Sequence, residues 1–190
     1  EEQAKLIDIQ VNTLKIEKEV YIDLLNKQKA KLNSSTNREI ELEEKIRSQF
    51  SGQDRAAMSN HPILQAYNSH YRRFKKTYHV QLQLESIAWK DKSIPSVSAL
   101  VEAMFMAEMK NMLLTAGHDL DVLHLPLTLD ASNGTESYTL MRGNEQILKA
   151  GDMSISDREG IVSSIVYGPN QRTQITDATR NVLYTVYAPA

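Results

Sequence analysis

Five histidines, at positions 61, 70, 79, 118 and 124, are the residues best suited to move a proton or hold a metal near neutral pH. His61, His70 and His79 stand nine residues apart. That is about two and a half helical turns, so on one helix they face opposite ways and cannot share a metal. His118, Asp119, Asp121 and His124 are a denser set of nitrogen and oxygen ligands. Their spacing follows no metal-binding pattern, and aspartates at a turn entering a strand commonly cap it, so neither a metal nor a cofactor is expected. The chain has no cysteine, which excludes disulfides, thiolate metal sites and a cysteine nucleophile. There is no Gly-x-Ser-x-Gly elbow, and Ser154, Ser156, Ser163 and Ser164 fall in segments that read as strands. The seven glycines are scattered singly, so no phosphate-binding loop is present.

Cations and aromatics interleave once. Arg72, Arg73, Lys75 and Lys76 surround Phe74, with Tyr67, Tyr71 and Tyr78 close by. Such a set can grip phosphates and stack on bases. It can equally be the solvated end of a helix whose cations complement the dipole. With a net charge of −2, the whole chain is not a strong nucleic-acid binder by charge, but the charge is unevenly spread. Residues 1–94 hold 16 Lys/Arg against 13 Asp/Glu, and residues 95–190 hold 6 against 11, so a balance of +3 is followed by one of −5. A nucleic-acid surface, if present, belongs to the first half. No apolar run approaches the ~20 residues of a membrane span, and the first residues show no secretory pattern. A reducing, cytoplasmic setting is expected.

The elements that must position these residues change type along the chain. Residues 6–12 alternate as a half-buried strand would, and residues 14–32 carry a helical pattern rich in Lys and Glu. Thr36-x-x-Glu39 reads as a capping box opening a helix to about Phe50. His61-Pro62 opens the next, with Ile63, Ala66, Tyr67, His70, Tyr71 and Phe74 in one stripe. Residues 79–90 are taken as helix. Pro95 to about Leu114 reads as a mostly buried helix, its Met104, Met106, Met109 and Met112 filling the core, with Gly117 closing it. Beyond that the period becomes two. Leu123, Leu125, Leu127 and Leu129 alternate, and short strands are expected near 137–142, 152–156, 161–167 and 181–187. Helices first and strands later predict an α+β fold.

A series of short motifs runs through the last two thirds of the chain. They are His61-Pro62 through Phe74, Ile94-Pro95-Ser96-Val97, Gly117-His118-Asp119-Leu120-Asp121, Arg142-Gly143-x-Glu145, Gly151-Asp152, Tyr167-Gly168 and Thr179-x-Asn181. Their order resembles the B3/B4 domain, the module of the phenylalanyl-tRNA synthetase beta subunit that removes mischarged amino acid from tRNA. The resemblance spans roughly residues 60–189, giving a B3/B4-like domain over 60–190 and an amino-terminal strand and helical segment over 1–59. It implies a β-sandwich-like core with packed helices. It also implies a pocket with a histidine, a glycine whose backbone N–H is open, and a glutamate that reads the hydroxyl of tyrosine. By likeness of the surrounding residues, His118 stands for the histidine and Gly168 for the glycine, whereas Thr185 stands where the glutamate would be. Glu145 and Glu102 are further carboxylates that could face the pocket, although a turn position and a helix edge explain them as well.

The resemblance implies a stand-alone protein that binds aminoacyl-tRNA and acts as an aminoacyl-tRNA deacylase in trans, with Arg72, Arg73, Lys75 and Lys76 on the RNA. Threonine is shorter than glutamate and uncharged, so tyrosine selection of the synthetase type does not carry over, and a different, smaller amino acid or a non-amino-acid ligand becomes plausible. Two rival readings stand beside it. One is a non-catalytic pocket for a free amino acid or related small molecule. The other is an interaction protein that uses its amino-terminal segment. Neither DNA nor a membrane is expected as partner.

Overall fold

A computed structural model describes residues 36–188, together with 22, 23, 26 and 27. The chain divides into two compact units, Glu1–Leu42 and Glu43–Ala190. The described residues of the first unit are helical, with an exposed Asp23–Lys27 ion pair one turn apart. The expected strand at 6–12 and most of the helix expected at 14–32 lie outside the described residues. Helix α1 covers residues 36–49, in keeping with the expectation from Thr36 onward.

The second unit is α+β. Helices α2 (Arg55–Ser59), α3 (Pro62–Arg73), α4 (His79–Lys90) and α5 (Ala99–Asn111) come first. Eight short strands follow: β1 (Leu114–Asp119), β2 (Thr128–Ala131), β3 (Ser137–Thr139), β4 (Glu145–Ile147), β5 (Met153–Asp157), β6 (Gly160–Ser164), β7 (Gly168–Pro169) and β8 (Val182–Tyr187). They form three antiparallel groups: a four-stranded sheet in the order β2-β5-β6-β7, a β1–β8 ladder and a β3–β4 hairpin.

Three tyrosines join the helices to the strands. Tyr67 and Tyr78 are stacked with ring centroids 4.2 Å apart, and Tyr71 leans on Tyr78 at 5.3 Å. All three rings are buried, and each hydroxyl reaches a backbone group, as a buried phenol should. The Tyr67 hydroxyl donates to the Tyr187 carbonyl and accepts from the Leu114 N–H at 2.9 Å, so one side chain of α3 holds both strands of the β1–β8 ladder. Tyr71 donates to the Ile165 carbonyl at 2.7 Å, and Tyr78 to the Met112 carbonyl at 3.0 Å. The predicted stripe on α3 is therefore a core face, with Leu64, Tyr67 and Tyr71 buried.

Three expectations are corrected. Helix α5 begins at Ala99, where the Ser98 side chain accepts from the Val101 N–H, and it ends at Met112 in the left-handed conformation. It stops before Gly117, which sits inside β1. Within α5 only Glu108 and Met109 are buried, and the helix packs on α4 and, through a close approach, on β1. Gly117 makes that contact possible: a Cβ there would stand 2.7 Å from Ile175 Cδ1 and 3.2 Å from both Met104 Sδ and a ring carbon of Tyr184. The alternation from Leu123 to Leu129 gives a strand only from Thr128, and Leu125 and Leu129 are exposed. Pro126, which has no N–H to give to a ladder, interrupts it.

Candidate functional site

Helix α3 carries the buried tyrosine face on one side and a second row on the next: Pro62, Ala66, Ser69, His70 and Arg73. This second row forms one wall of a cleft of about 1120 Å³. The facing wall comes from Leu129 and Ala131 of β2, Met153 of β5, Ile165, and Val186 and Tyr187 of β8, with Gly151 at the rim. The cleft is thus apolar on the sheet side, while its cation and its imidazole both belong to α3. That composition, with a volume slightly above the ordinary range of ligand pockets, makes it the candidate site.

His70 is half-buried. Its ring packs against Phe74 at 5.4 Å between centroids, and its Nε2 has no hydrogen-bond partner. Burial and the Arg73 guanidinium hold its pKa below the ordinary 6.5, against the pull of the Asp152 carboxylate. At neutral pH the ring is uncharged. Asp152 lies fully buried behind the rim, with Oδ2 accepting from Ser164 Oγ at 2.6 Å and Oδ1 from the Val166 N–H at 3.3 Å. Burial pushes its pKa up, and those two bonds pull the other way. Tyr187 also lines the cleft, and its hydroxyl is buried without a partner. Ser163 Oγ of β6 is likewise buried without a partner.

His118 is fully buried, and Nδ1 meets Thr173 Oγ1 at 2.9 Å while Nε2 has no partner. Burial lowers its pKa to about 4, so it is a neutral imidazole. In the β1–β8 register His118 faces Leu183 and Ala116 faces Thr185, which puts His118 and Thr185 on one face of the ladder. Thr185 Oγ1 donates to the Ala116 carbonyl at 3.4 Å. Gly168, in β7 beside β1, has φ +90° and open space where a side chain would begin, and its carbonyl accepts from the Tyr138 hydroxyl at 2.6 Å. The fold therefore gathers His118, Thr185 and the strand of Gly168 around the inner β1–β8 face. None of the three lines the cleft.

The two candidate carboxylates stand elsewhere. Glu102 accepts from Ser96 Oγ at 2.5 Å beside the first turn of α5, and Glu145 accepts from Ser137 Oγ at 2.9 Å across the β3–β4 hairpin. Arg72, Arg73, Lys75 and Lys76 are all exposed around the end of α3, where Phe74 is buried. Lys76 lies over the Tyr167 ring at 5.0 Å, and Lys149 Nζ donates to the Phe74 carbonyl at 2.6 Å, adding a fifth cation from the strand half. Of the predicted four, Arg73 reaches the cleft.

The acidic motif residues are structural. Asp119 Oδ2 accepts from Thr179 Oγ1 at 2.6 Å, and Asn181 Nδ2 donates to both Asp121 oxygens at 3.0 and 3.1 Å. The Leu120 N–H donates to the Asn181 carbonyl at 2.9 Å. These bonds clamp the end of β1 to the start of β8. His124 instead turns to Glu159, at 3.1 Å. Among the described residues no group of three His, Asp or Glu side chains is placed to hold a metal ion. No described helix is long and apolar enough to cross a membrane.

Sequence reasoning missed Tyr187, Ser163, Arg73 as a wall residue and Lys149. Ser163 and Tyr187 read as ordinary strand residues, and only the packing of separate strands brings them together. No protein-family model matches the chain, and no curated protein matches it.

Proposed function

We propose that this protein is a stand-alone B3/B4-type protein that binds aminoacyl-tRNA and hydrolyses a mischarged amino acid from it in trans. The observation that carries this reading is the continuity of charge and cleft. Arg73 belongs both to the cationic end of α3 and to the wall of the 1120 Å³ cleft, so an acyl group inside would have its phosphate-bearing carrier on Arg72, Lys75, Lys76 and Lys149. Phosphate neutralisation supplies most of the affinity for a nucleic acid. The apolar sheet wall suits an aliphatic or aromatic acyl group.

The test is deacylation of a panel of mischarged tRNAs by the purified chain, with tRNA binding measured across salt concentrations. Turnover on one member names the amino acid. Arg73→Glu and Lys76→Glu should each weaken binding and make the salt dependence shallower by about one phosphate contact. Absence of turnover and of binding on every tRNA would sink the proposal.

A second reading is favoured by the burial of His118. With that histidine sealed away from the cleft, the cleft would hold a free amino acid or related small molecule without chemistry. Calorimetric binding of free apolar amino acids by a protein inert on every tRNA would establish it.

A further inference from the structure

Hydrolysis of an acyl ester requires a group that takes a proton from water and a positive charge near the carbonyl oxygen. Of the five histidines, His70 alone lines the cleft. His118 is sealed inside and bonded to Thr173, His124 pairs with Glu159, and His79 belongs to a separate, smaller cavity against Phe105 and Met109. Arg73 follows His70 by three residues and shares its wall, so a fixed cation stands beside the ring.

We infer that His70 is the catalytic acid–base residue of this cleft, acting on an ester of an apolar acyl group whose carbonyl oxygen lies at Arg73. The inference rests on the reading of the cleft as an aminoacyl-ester site. Its Nε2 is buried without a partner, so acting on an ester in the cleft requires the ring to turn about Cβ–Cγ, a motion that preserves the plane packed on Phe74. His118 Nε2 and His61 Nδ1 are also buried without partners, so what singles His70 out is its place on the cleft wall beside Arg73. The charged groups acting on the ring are Arg73 on its own helix and Asp152, and Tyr187 of β8 lines the same cleft. Asp152 is occupied by Ser164 and Val166, and burial with Arg73 keeps the imidazole neutral, with a lone pair free to accept.

The step balances with water alone. The water oxygen bonds to the ester carbonyl carbon as its proton passes to Nε2, and the resulting oxyanion lies beside the Arg73 guanidinium. Collapse breaks the bond between that carbon and the carrier's oxygen, and Nε2 returns the proton to the departing oxygen. The products are a carboxylic acid and an alcohol, and the imidazole is neutral again.

The experiment compares wild type, His70→Ala and His70→Gln on the tRNA panel and on p-nitrophenyl esters of apolar amino acids, with tRNA affinity and Tm measured in parallel. The expected result is a loss of about 10²–10⁴-fold in kcat in both variants, with tRNA affinity within twofold of wild type. Wild-type rate should hold down to the ordinary histidine value of 6.5 and fall below it, and the residual rate of His70→Gln should lack that limb. If wild type deacylates a tRNA and both variants match it within threefold, His70 is not the acid–base group and the tRNA reading stands. If the simple esters are cleaved in a His70-dependent way but no tRNA is, the tRNA reading falls and the assignment of His70 stands. A wild type inert on every ester overturns both.

Discussion

At the scale of single residues, positions that look chemical and positions that look structural exchange roles. His118 has the motif setting of a pocket residue, yet it is a neutral core histidine tied to Thr173. His70, one of several polar members of a helix stripe, faces the cleft. Gly117 looks like a helix stop and is a contact point, where a side chain would collide with Ile175, Met104 and Tyr184. Gly117→Val should therefore destabilise the protein by about 1–3 kcal/mol through overpacking, seen as a lower denaturant midpoint with an unchanged slope. Thr179 offers a second test. Its hydroxyl donates to the buried Asp119 carboxylate and accepts from the Thr176 N–H at 2.9 Å. Thr179→Val removes both bonds at nearly equal volume, and a loss of about 1–3 kcal/mol is expected in the same measurement.

At the scale of elements, α5 and β1 are joined by one carboxylate. Glu108, 2 % exposed, accepts from the Thr115 N–H at 2.9 Å and from Thr115 Oγ1 at 3.2 Å through the same oxygen. Burial raises its pKa to about 7 from an ordinary 4.5, with the two Thr115 bonds opposing. The folded state therefore holds a proton that the unfolded chain gives up at lower pH. The contribution is complete below 4.5 and is lost as pH rises through about 7. Glu108→Gln keeps the accepting oxygen and cannot ionise. Denaturation at pH 5 and pH 8 should show wild type losing on the order of 2 kcal/mol across the interval through this group. The variant should lose correspondingly less, and equal losses in both proteins would refute the assignment.

At the scale of the whole unit, Arg172 connects segments distant in sequence. It donates to Asp157 at 2.8 Å, approaches Glu159 at 3.3 Å and donates to the Val122 carbonyl at 3.1 Å, tying the β5–β6 turn to the segments before β2 and after β7. Burial works against the charge on Asp157. The His124 N–H, Arg172 and the Glu159 N–H outweigh it and hold its pKa below the ordinary 3.8. Its contribution is present above 3.8 and is lost as pH falls through the depressed value. Arg172→Met should lower stability at pH 7 by about 1–2 kcal/mol. It should also lose less than wild type on further acidification below 3.8. An unchanged acid limb would show that the network does not act through Asp157.

What the sequence determined by itself was local. The Pro62 helix, its tyrosine stripe, the helix at 79–90 and the strands near 153–157 and 182–187 follow from side-chain period, proline and turn residues, which act within a few neighbours. The α+β class follows from their order. Where local signals conflicted with packing, packing prevailed. The methionine-rich helix, apolar on most sides, buries only Glu108 and Met109, whereas the leucine alternation failed for a local reason, the ladder-breaking Pro126. The cleft was decided by tertiary structure alone. Whether Arg73 meets solvent or a pocket, and whether His70 or His118 faces it, depends on how α3 lies against β2, β5 and β8. Those strands are separated from α3 by more than fifty residues, and no periodicity in a one-dimensional pattern encodes that approach.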